Sequence, residues 1–215
     1  MRYIIMCGGK YNDKRPKHLM DINGEPIVGR TYRLLIEQGI DPKDIYISIG
    51  EWAYEWYVVS YAKVTTNIIV MTSNRFGEGG RWLDGFETIL DEPTTYLYGD
   101  VIFSPDAIKT IVETETDSIE FFASAPPFSP RYTKRWAEPF AFKVVDMEYF
   151  AFCIQKTKNL ADEGRFNREP ISWELWQVIK RTRLNEIDYT NYTAINDYSC
   201  DVDCEDDLEK IRGQM

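Results

Sequence analysis

Histidine is almost missing from this chain: His18 is the single one in 215 residues. Cysteine is sparse too, and Cys7, Cys153, Cys200 and Cys204 are dispersed, with no C-x-x-C pair among them. A zinc centre needs three or four such ligands at short spacing, so these shortages argue against one. They also leave no credible catalytic histidine or cysteine, and His18 reads as a loop residue. Positive charge is scarce as well. Lys and Arg number 25 against 35 Asp and Glu, a net charge of -10. An acidic surface repels nucleic-acid phosphates and anionic membranes, which sets both aside as partners. No window approaches the ~18–20 apolar residues of a membrane span. The first residues run straight into a strand-like segment with no basic region ahead of an apolar stretch, so no signal peptide is expected. Reduced thiols in a cytoplasmic protein are the expectation that follows. Internal repeats and low-complexity tracts are absent.

What the chain does have is a core: apolar residues make up 44% and aromatic residues 14%. Its length suits one α/β domain or one with a modest appendage. Tyr3 to Cys7 is a continuous apolar run that stops at Gly8-Gly9, the pattern of a buried, parallel strand. Residues 8–18 are polar and read as a loop. Pro26 to Gln38, closed by Gly39, reads as a helix. Strands at 45–49, 67–71, 95–98 and 118–123 alternate with helices at 52–62, 82–90 and 105–112. That alternation predicts a mostly parallel sheet with helices on both faces. After Ser124 the texture changes: prolines crowd together, and Arg131, Lys134 and Arg135 follow. A strand is expected at 138–145, a helix at 146–156, a polar loop at 159–170, a helix at 171–181 and a short helix at the C-terminal end. The expected organisation is a single domain over 1–215, with a ligand-binding half at 1–123 and a second half at 124–215.

Three constellations carry chemistry. Gly8-Gly9-Lys10, with Arg15-Pro16-Lys17 close behind, lies at the carboxyl edge of the first strand. Glycines there let backbone approach a ligand and form an anion nest, and the cations suit a polyphosphate. The competing reading is a glycine turn followed by a solvated basic loop. Tyr96-Leu97-Tyr98-Gly99-Asp100 ends an apolar strand in a carboxylate at the same edge, against the plainer reading of a turn aspartate. Cys200-Asp201-Val202-Asp203 spaces two carboxylates two residues apart, so in an extended stretch both face one way and suit a hard cation. Glu205, Asp206 and Asp207 fit the N-terminus of a helix without further function.

Together these residues resemble the sugar-nucleotide and alditol-phosphate nucleotidyltransferases. That family's N-terminal signature is a strand, a Gly-rich loop, Arg with Pro-Lys-x-Leu, and a segment ending Gly-x-Pro. Here it reads Met6-Cys7-Gly8-Gly9, Arg15-Pro16-Lys17-His18-Leu19 and Ile22-Asn23-Gly24-Glu25-Pro26. Gly99-Asp100 matches the family's strand followed by Gly-Asp. Val202-Asp203 to Asp207-Leu208 matches its closing Val-Asp-x-x-x-Asp-Leu. The motifs cover nearly the whole chain in order, except 124–195. Lys10 stands where the usual loop has a glycine, a version also seen in guanylyltransferases of cofactor synthesis.

The resemblance implies an α/β fold: one Rossmann-like (GT-A-like) domain whose mostly parallel mixed sheet is flanked by helices. It implies a Mg²⁺-dependent transferase moving NMP from NTP to a phosphorylated small molecule such as a phospho-sugar, phospho-alditol or phosphocholine-like acceptor. Lys17 and Arg15 would be catalytic. Cys7, Gly8, Gly9, Lys10, Asn74, Gly79, Gly80 and Asp100 would line the nucleotide, and Asp100, Asp201 and Asp203 would hold the metal. CTP is the favoured nucleotide, because Asp201-Val202-Asp203 is similar to the ending of choline-phosphate cytidylyltransferases. A homodimer is compatible with all of this. Two rivals stay open: a GT-A glycosyltransferase using the D-x-D, and a non-catalytic nucleotide-binding module. Trp173 and Trp176 read as core residues of an amphipathic helix in preference to walls of an aromatic cage for a quaternary ammonium.

Overall fold

The strand signal that ends at Cys7 forms β1 (Arg2–Cys7), where Ile4 and Ile5 are wholly buried. A strand covered on both faces has no polar side to show, which is why its sequence runs apolar without alternation. The computed structural model describes residues 1–7, 10–11, 15–49, 69–72, 80–86, 91–125, 137–184, 187 and 189–214. The expected helix at 52–62, residues 87–90 of the expected helix at 82–90, and residues Gly8, Gly9, Asn74, Gly79, Arg131, Lys134 and Arg135 lie outside the described residues.

Beyond β1 come two short pairs, β2 (Lys10–Tyr11) with β3 (Arg15–Pro16) and β4 (Asp21–Ile22) with β5 (Glu25–Pro26), both antiparallel. The segment expected to be a plain loop therefore contains a small hairpin. Between β4 and β5, Asn23 and Gly24 both take positive φ, 55° and 87°, the two-residue turn that an Asn-Gly pair favours. The described chain continues through α1 (Ile27–Glu37), β6 (Ile45–Ile49), β7 (Ile69–Thr72), β8 (Thr94–Tyr98) and β9 (Val101–Ile102). Then follow α2 (Pro105–Glu113), β10 (Ile119–Ser124), β11 (Pro139–Val144), α3 (Met147–Asp162), α4 (Ser172–Lys180), β12 (Thr193–Ile195), β13 (Cys200–Asp201) and α5 (Glu205–Arg212).

Seven strands form one sheet in the order β12-β10-β11-β8-β1-β6-β7. β1 pairs in parallel with β6 and β8, β6 with β7, and β10 with β12. β11 alone runs against its neighbours, antiparallel to both β8 and β10. The result is the expected α/β architecture, a mostly parallel mixed sheet flanked by helices. Strand β12 was not foreseen, and α3 runs to Asp162, six residues beyond its expected end, because half-buried Leu160 keeps a grip on the core.

Under the second half lies an aromatic core. Phe121 stacks on Phe142 at 4.4 Å, and Trp173 meets Phe121 edge-on at 4.9 Å. Trp173 and Trp176 are 2% and 1% exposed, and the Trp173 indole N–H donates to the Ala137 carbonyl at 2.8 Å. They are core residues, as the helical reading held. At the far end of the sheet, the buried Lys143 ammonium donates to the carbonyls of Ile111, Val112 and Thr114, which α2 leaves without helical partners.

Candidate active site

The parallel strands aim their carboxyl ends at one edge, where ligands of open α/β sheets bind. β8 delivers Gly99 and Asp100 there. Gly99 N–H donates to the Met6 carbonyl at 2.9 Å, seating the turn directly on the end of β1. A Cβ on Gly99 would fall 2.6 Å from the Cys7 Sγ and 2.7 Å from the Met6 oxygen, so glycine alone lets the turn come this close. Cys7 itself is buried beneath it. Burial pushes its thiol pKa well up, with the Asp100 charge adding to the rise, so any contact it makes with a nucleotide goes through its backbone.

Lys17 arrives from the other side on a single 3-10 turn, Lys17–Leu19, closed by Met20 N–H to the Lys17 carbonyl at 2.9 Å. His18 anchors the turn. It is 1% exposed, neither ring nitrogen has a hydrogen-bond partner among the described residues, and burial drags its pKa down to about 3. A histidine in that state is a neutral packing residue at pH 7 and takes no part in proton transfer.

The third component comes from near the C-terminal end of the chain. Arg30 donates to the Phe103 carbonyl at 3.2 Å and to the Tyr198 hydroxyl at 2.9 Å. Ser104 N–H donates to the Ser199 hydroxyl at 2.8 Å. β13 then pairs antiparallel with β9, and Val202 N–H donates to the Asp100 carbonyl at 2.9 Å. Val202 is fully buried in a small second core with Met20, Ile22, Ile27, Ile102, Cys200, Leu208 and Ile211. That cluster clamps five chain segments together: the foot of the Lys17 turn, the start of α1, β9, the segment running from β13 to Asp203, and α5. Asp207 accepts from the N–H groups of Asp203 at 3.0 Å and Cys204 at 3.2 Å, so it caps α5, as its helix-terminal reading proposed.

These pieces converge on one ammonium. Lys17 Nζ lies 2.7 Å from Asp203 Oδ1 and 3.6 Å from Asp100 Oδ2. Burial works against the charged lysine, but Asp100, Asp201 and Asp203 outweigh it, and the Lys17 pKa is raised. Residues 17, 100 and 203, far apart in sequence, thus meet at one point. Among the described residues no three His, Cys, Asp or Glu side chains form a cage able to hold a metal alone. Asp100 and Asp203 do flank a cation, the lysine's own. Magnesium is bound through one or two carboxylates plus substrate phosphates, so this donor set fits it.

Of the other expected site residues, Lys10 lies opposite Pro16 and Arg15 opposite Tyr11 in the antiparallel β2–β3 pair. Gly80 is exposed, ahead of a 3-10 turn at Trp82–Phe86. Arg81 is held by the Asp162 carboxylate and the Lys158 carbonyl on α3, and Lys158 pairs with Asp84. One residue escaped sequence reasoning. Glu138, 3% exposed, accepts a hydrogen bond from Asp201 N–H at 3.1 Å. Nothing in a lone Ala-Glu-Pro-Phe stretch announces a buried carboxylate.

No protein-family model matches the chain, and no curated protein matches it either. Solved structures do. A Bacillus anthracis protein described as a glucose-1-phosphate thymidylyltransferase, in complex with sucrose, is 16% identical with a TM-score of 0.64, over 99% of this chain and 94% of its own. HddC from Yersinia pseudotuberculosis, complexed with GMP-PN, is 16% identical with a TM-score of 0.60, over 99% and 98%. The CTP:phosphocholine cytidylyltransferase of Streptococcus pneumoniae is 14% identical with a TM-score of 0.55, over 99% and 98%. The chain has the fold that these nucleotidyltransferase structures share, along nearly its whole length and nearly theirs.

Proposed function

We propose that the protein transfers a nucleoside monophosphate from an NTP, with CTP preferred, to a phosphorylated small molecule and releases pyrophosphate. One observation carries the reading: Lys17, Asp100 and Asp203 meet at the sheet edge of a nucleotidyltransferase fold. The acceptor's phosphate oxygen attacks the α-phosphorus in line as the bond to pyrophosphate breaks. A phosphate is already ionised at neutral pH, so the site needs no general base. That agrees with a histidine held neutral and out of reach. Positioning and charge neutralisation supply the acceleration. In the ternary complex Lys17 leaves the carboxylates for the phosphates, and Arg15 and Lys10 add charge from the hairpin before it. Asp100 and Asp203 would hold Mg²⁺, with Asp201 alongside, and the bound ion would supply charge neutralisation of the phosphate oxygens.

Residues 124–215 supply the acceptor side. A cavity of about 180 Å³ opens there, lined by Pro139, Arg168, Ile171, Trp173, Ile187 and Tyr189. Arg168, the cation among the described lining residues, is paired with Glu174 at 2.7 Å. The preference for CTP rests on the Asp201-Val202-Asp203 ending, and a CTP-using enzyme among the structural neighbours supports it. No described helix is long and apolar enough to cross a membrane. No disulfide joins the four cysteines, and a cytoplasmic setting suits that.

The test is pyrophosphate release with Mg²⁺, run over four NTPs and a panel of phospho-sugars, phospho-alditols and phosphocholine. Release that requires both NTP and acceptor, fastest with CTP, is the expected result. Release with GTP or UTP alone overturns the base preference. Glycosyl transfer from a nucleotide sugar, with no pyrophosphate from any NTP, overturns the reaction.

A further inference from the structure

We propose that Glu138 is a positioning residue: its carboxylate holds the main chain of Asp201 and thereby sets where Asp203 stands relative to Asp100. The inference rests on the reading of Asp100 and Asp203 as the cation-holding pair.

Strand β13 is two residues long, and its pairing with β9 uses one edge only. In an antiparallel ladder the outward N–H groups need partners of their own. The Asp201 N–H points away from β9, and Glu138 Oε2 receives it at 3.1 Å. Glu138 is itself fixed at the mouth of β11: its N–H donates to the Ser124 hydroxyl at 2.8 Å, and its carbonyl accepts from Ser124 N–H at 2.9 Å. A rigid carboxylate on the antiparallel strand of the second half therefore grips the segment that completes the site.

The choice of residue type is informative. Burying an anion is costly, and placing it beside Asp201 adds repulsion between like charges. Packing alone gives no reason to accept either cost. A backbone N–H held by a carboxylate is roughly twice as strong a bond as one held by a neutral acceptor. That strength opposes the mutual repulsion of Asp100, Asp201 and Asp203, which would otherwise spread β13 away from β9. With Asp201 gripped at its N–H and Val202 sunk in the second core, Asp203 has little backbone freedom left.

The experiment compares Glu138→Gln, which keeps an acceptor oxygen without charge, with Glu138→Ala, which removes both. Amide exchange at Asp201, followed by NMR, reads the hydrogen bond directly and needs no metal. Mn²⁺ binding in the presence of CTP, read by electron paramagnetic resonance, reports the carboxylate pair. Expected for Glu138→Ala is faster exchange at Asp201 and Mn²⁺ binding about 10-fold weaker, the usual cost of losing a group that orients a metal ligand. Glu138→Gln, which keeps the acceptor but loses the charge that strengthens the bond, should fall between Glu138→Ala and the parent in both readings.

If Glu138→Ala does not fold, Glu138→Asp serves instead. Its carboxylate is one methylene too short to reach Asp201, so Mn²⁺ binding should weaken although the charge is kept. Unchanged exchange and binding in Glu138→Ala or Glu138→Asp overturns the proposal. So does a folded Glu138→Gln as impaired as Glu138→Ala, because the charge and not the grip would then be at work. A parent chain that protects the Asp201 amide but takes no Mn²⁺ with any NTP sinks the nucleotidyl-transfer reading, and this role for Glu138 with it.

Discussion

Replacing Lys17 with methionine should do two opposite things at once. The Lys17 ammonium lies 2.7 Å from Asp203 and 3.6 Å from Asp100, where a divalent cation shared by those carboxylates would also have to sit. In the nucleotide-free protein Lys17 therefore competes with the metal. Asp203 is 54% exposed, so solvent screens the pair heavily. The worth of such a screened, charge-assisted contact is about 1–2 kcal/mol, not the much larger figure that bare Coulomb energy suggests. The raised pKa of Lys17 keeps it charged through the neutral range, so a modest rise in pH does not release the carboxylates. Lys17→Met should then bind free Mn²⁺, without nucleotide, about 10-fold more tightly than the parent, since 1.4 kcal/mol is a factor of ten. Turnover with NTP should fall ~100-fold or more, because the charge meant for the transition-state phosphates is gone. Titration of Mn²⁺ by electron paramagnetic resonance and a pyrophosphate assay give the two numbers. Mn²⁺ affinity that stays level or drops would refute the idea that the lysine occupies the metal's place. Normal turnover would show the Pro-Lys match to be incidental.

Gly99→Ala should cost about 1–3 kcal/mol in denaturant unfolding and weaken Mn²⁺ binding with CTP, because its Cβ meets Cys7 and Met6 at under 3 Å and must push the Asp100 turn outward. His18 is held neutral with a pKa of about 3 against 6.5 when unfolded, so the unfolded chain binds the extra proton and stability falls as pH drops below 6.5. Between pH 7.5 and pH 5 the parent should lose about 2 kcal/mol that His18→Leu does not lose, as thermal or urea melts at the two pH values would show. Lys143→Met strips three carbonyls at the end of α2 of their donor and should lower stability by about 2 kcal/mol while leaving Mn²⁺ binding untouched.

The parts of the site that sequence made legible were legible as a set. Taken singly, Lys17 in a polar loop and Asp100 after an apolar strand each have a plain structural reading; it is their order along the chain with Val202-Asp203 that made them legible together. Strand β1 was legible because burial on both faces leaves Tyr3 to Cys7 an unbroken run without a charged residue. The aromatic content of Trp173 and Trp176 was ambiguous by type, and helical spacing decided it in favour of the core. What escaped depends on partners distant in the chain. Glu138 matters only because Asp201 comes to lie beside it. β12 is three residues long and gains its strand character from pairing with β10. The second core is assembled from residues near 20, 27, 102, 200 and 210, none of which forms a periodic pattern by itself. The small hairpin at residues 10–16 was hidden because a pair of two-residue strands carries almost no alternation to read.

The contact between Lys17 and Asp203 joins residues 186 positions apart. Closing so long a loop is entropically costly and, in folding, slow compared with local structure. The sheet can take shape around β1, β6 and β8 before β13 docks, and until it docks there is no paired carboxylate at the edge. If Asp100 and Asp203 hold the proposed cation, its binding during refolding reads the last event of assembly, not the first. A nick or a truncation that removes the segment after Ser199 would leave the aromatic core standing and take the chemistry away whole. Limited proteolysis of that tail, followed by fluorescence of the buried tryptophans, would show a protein still folded and already silent.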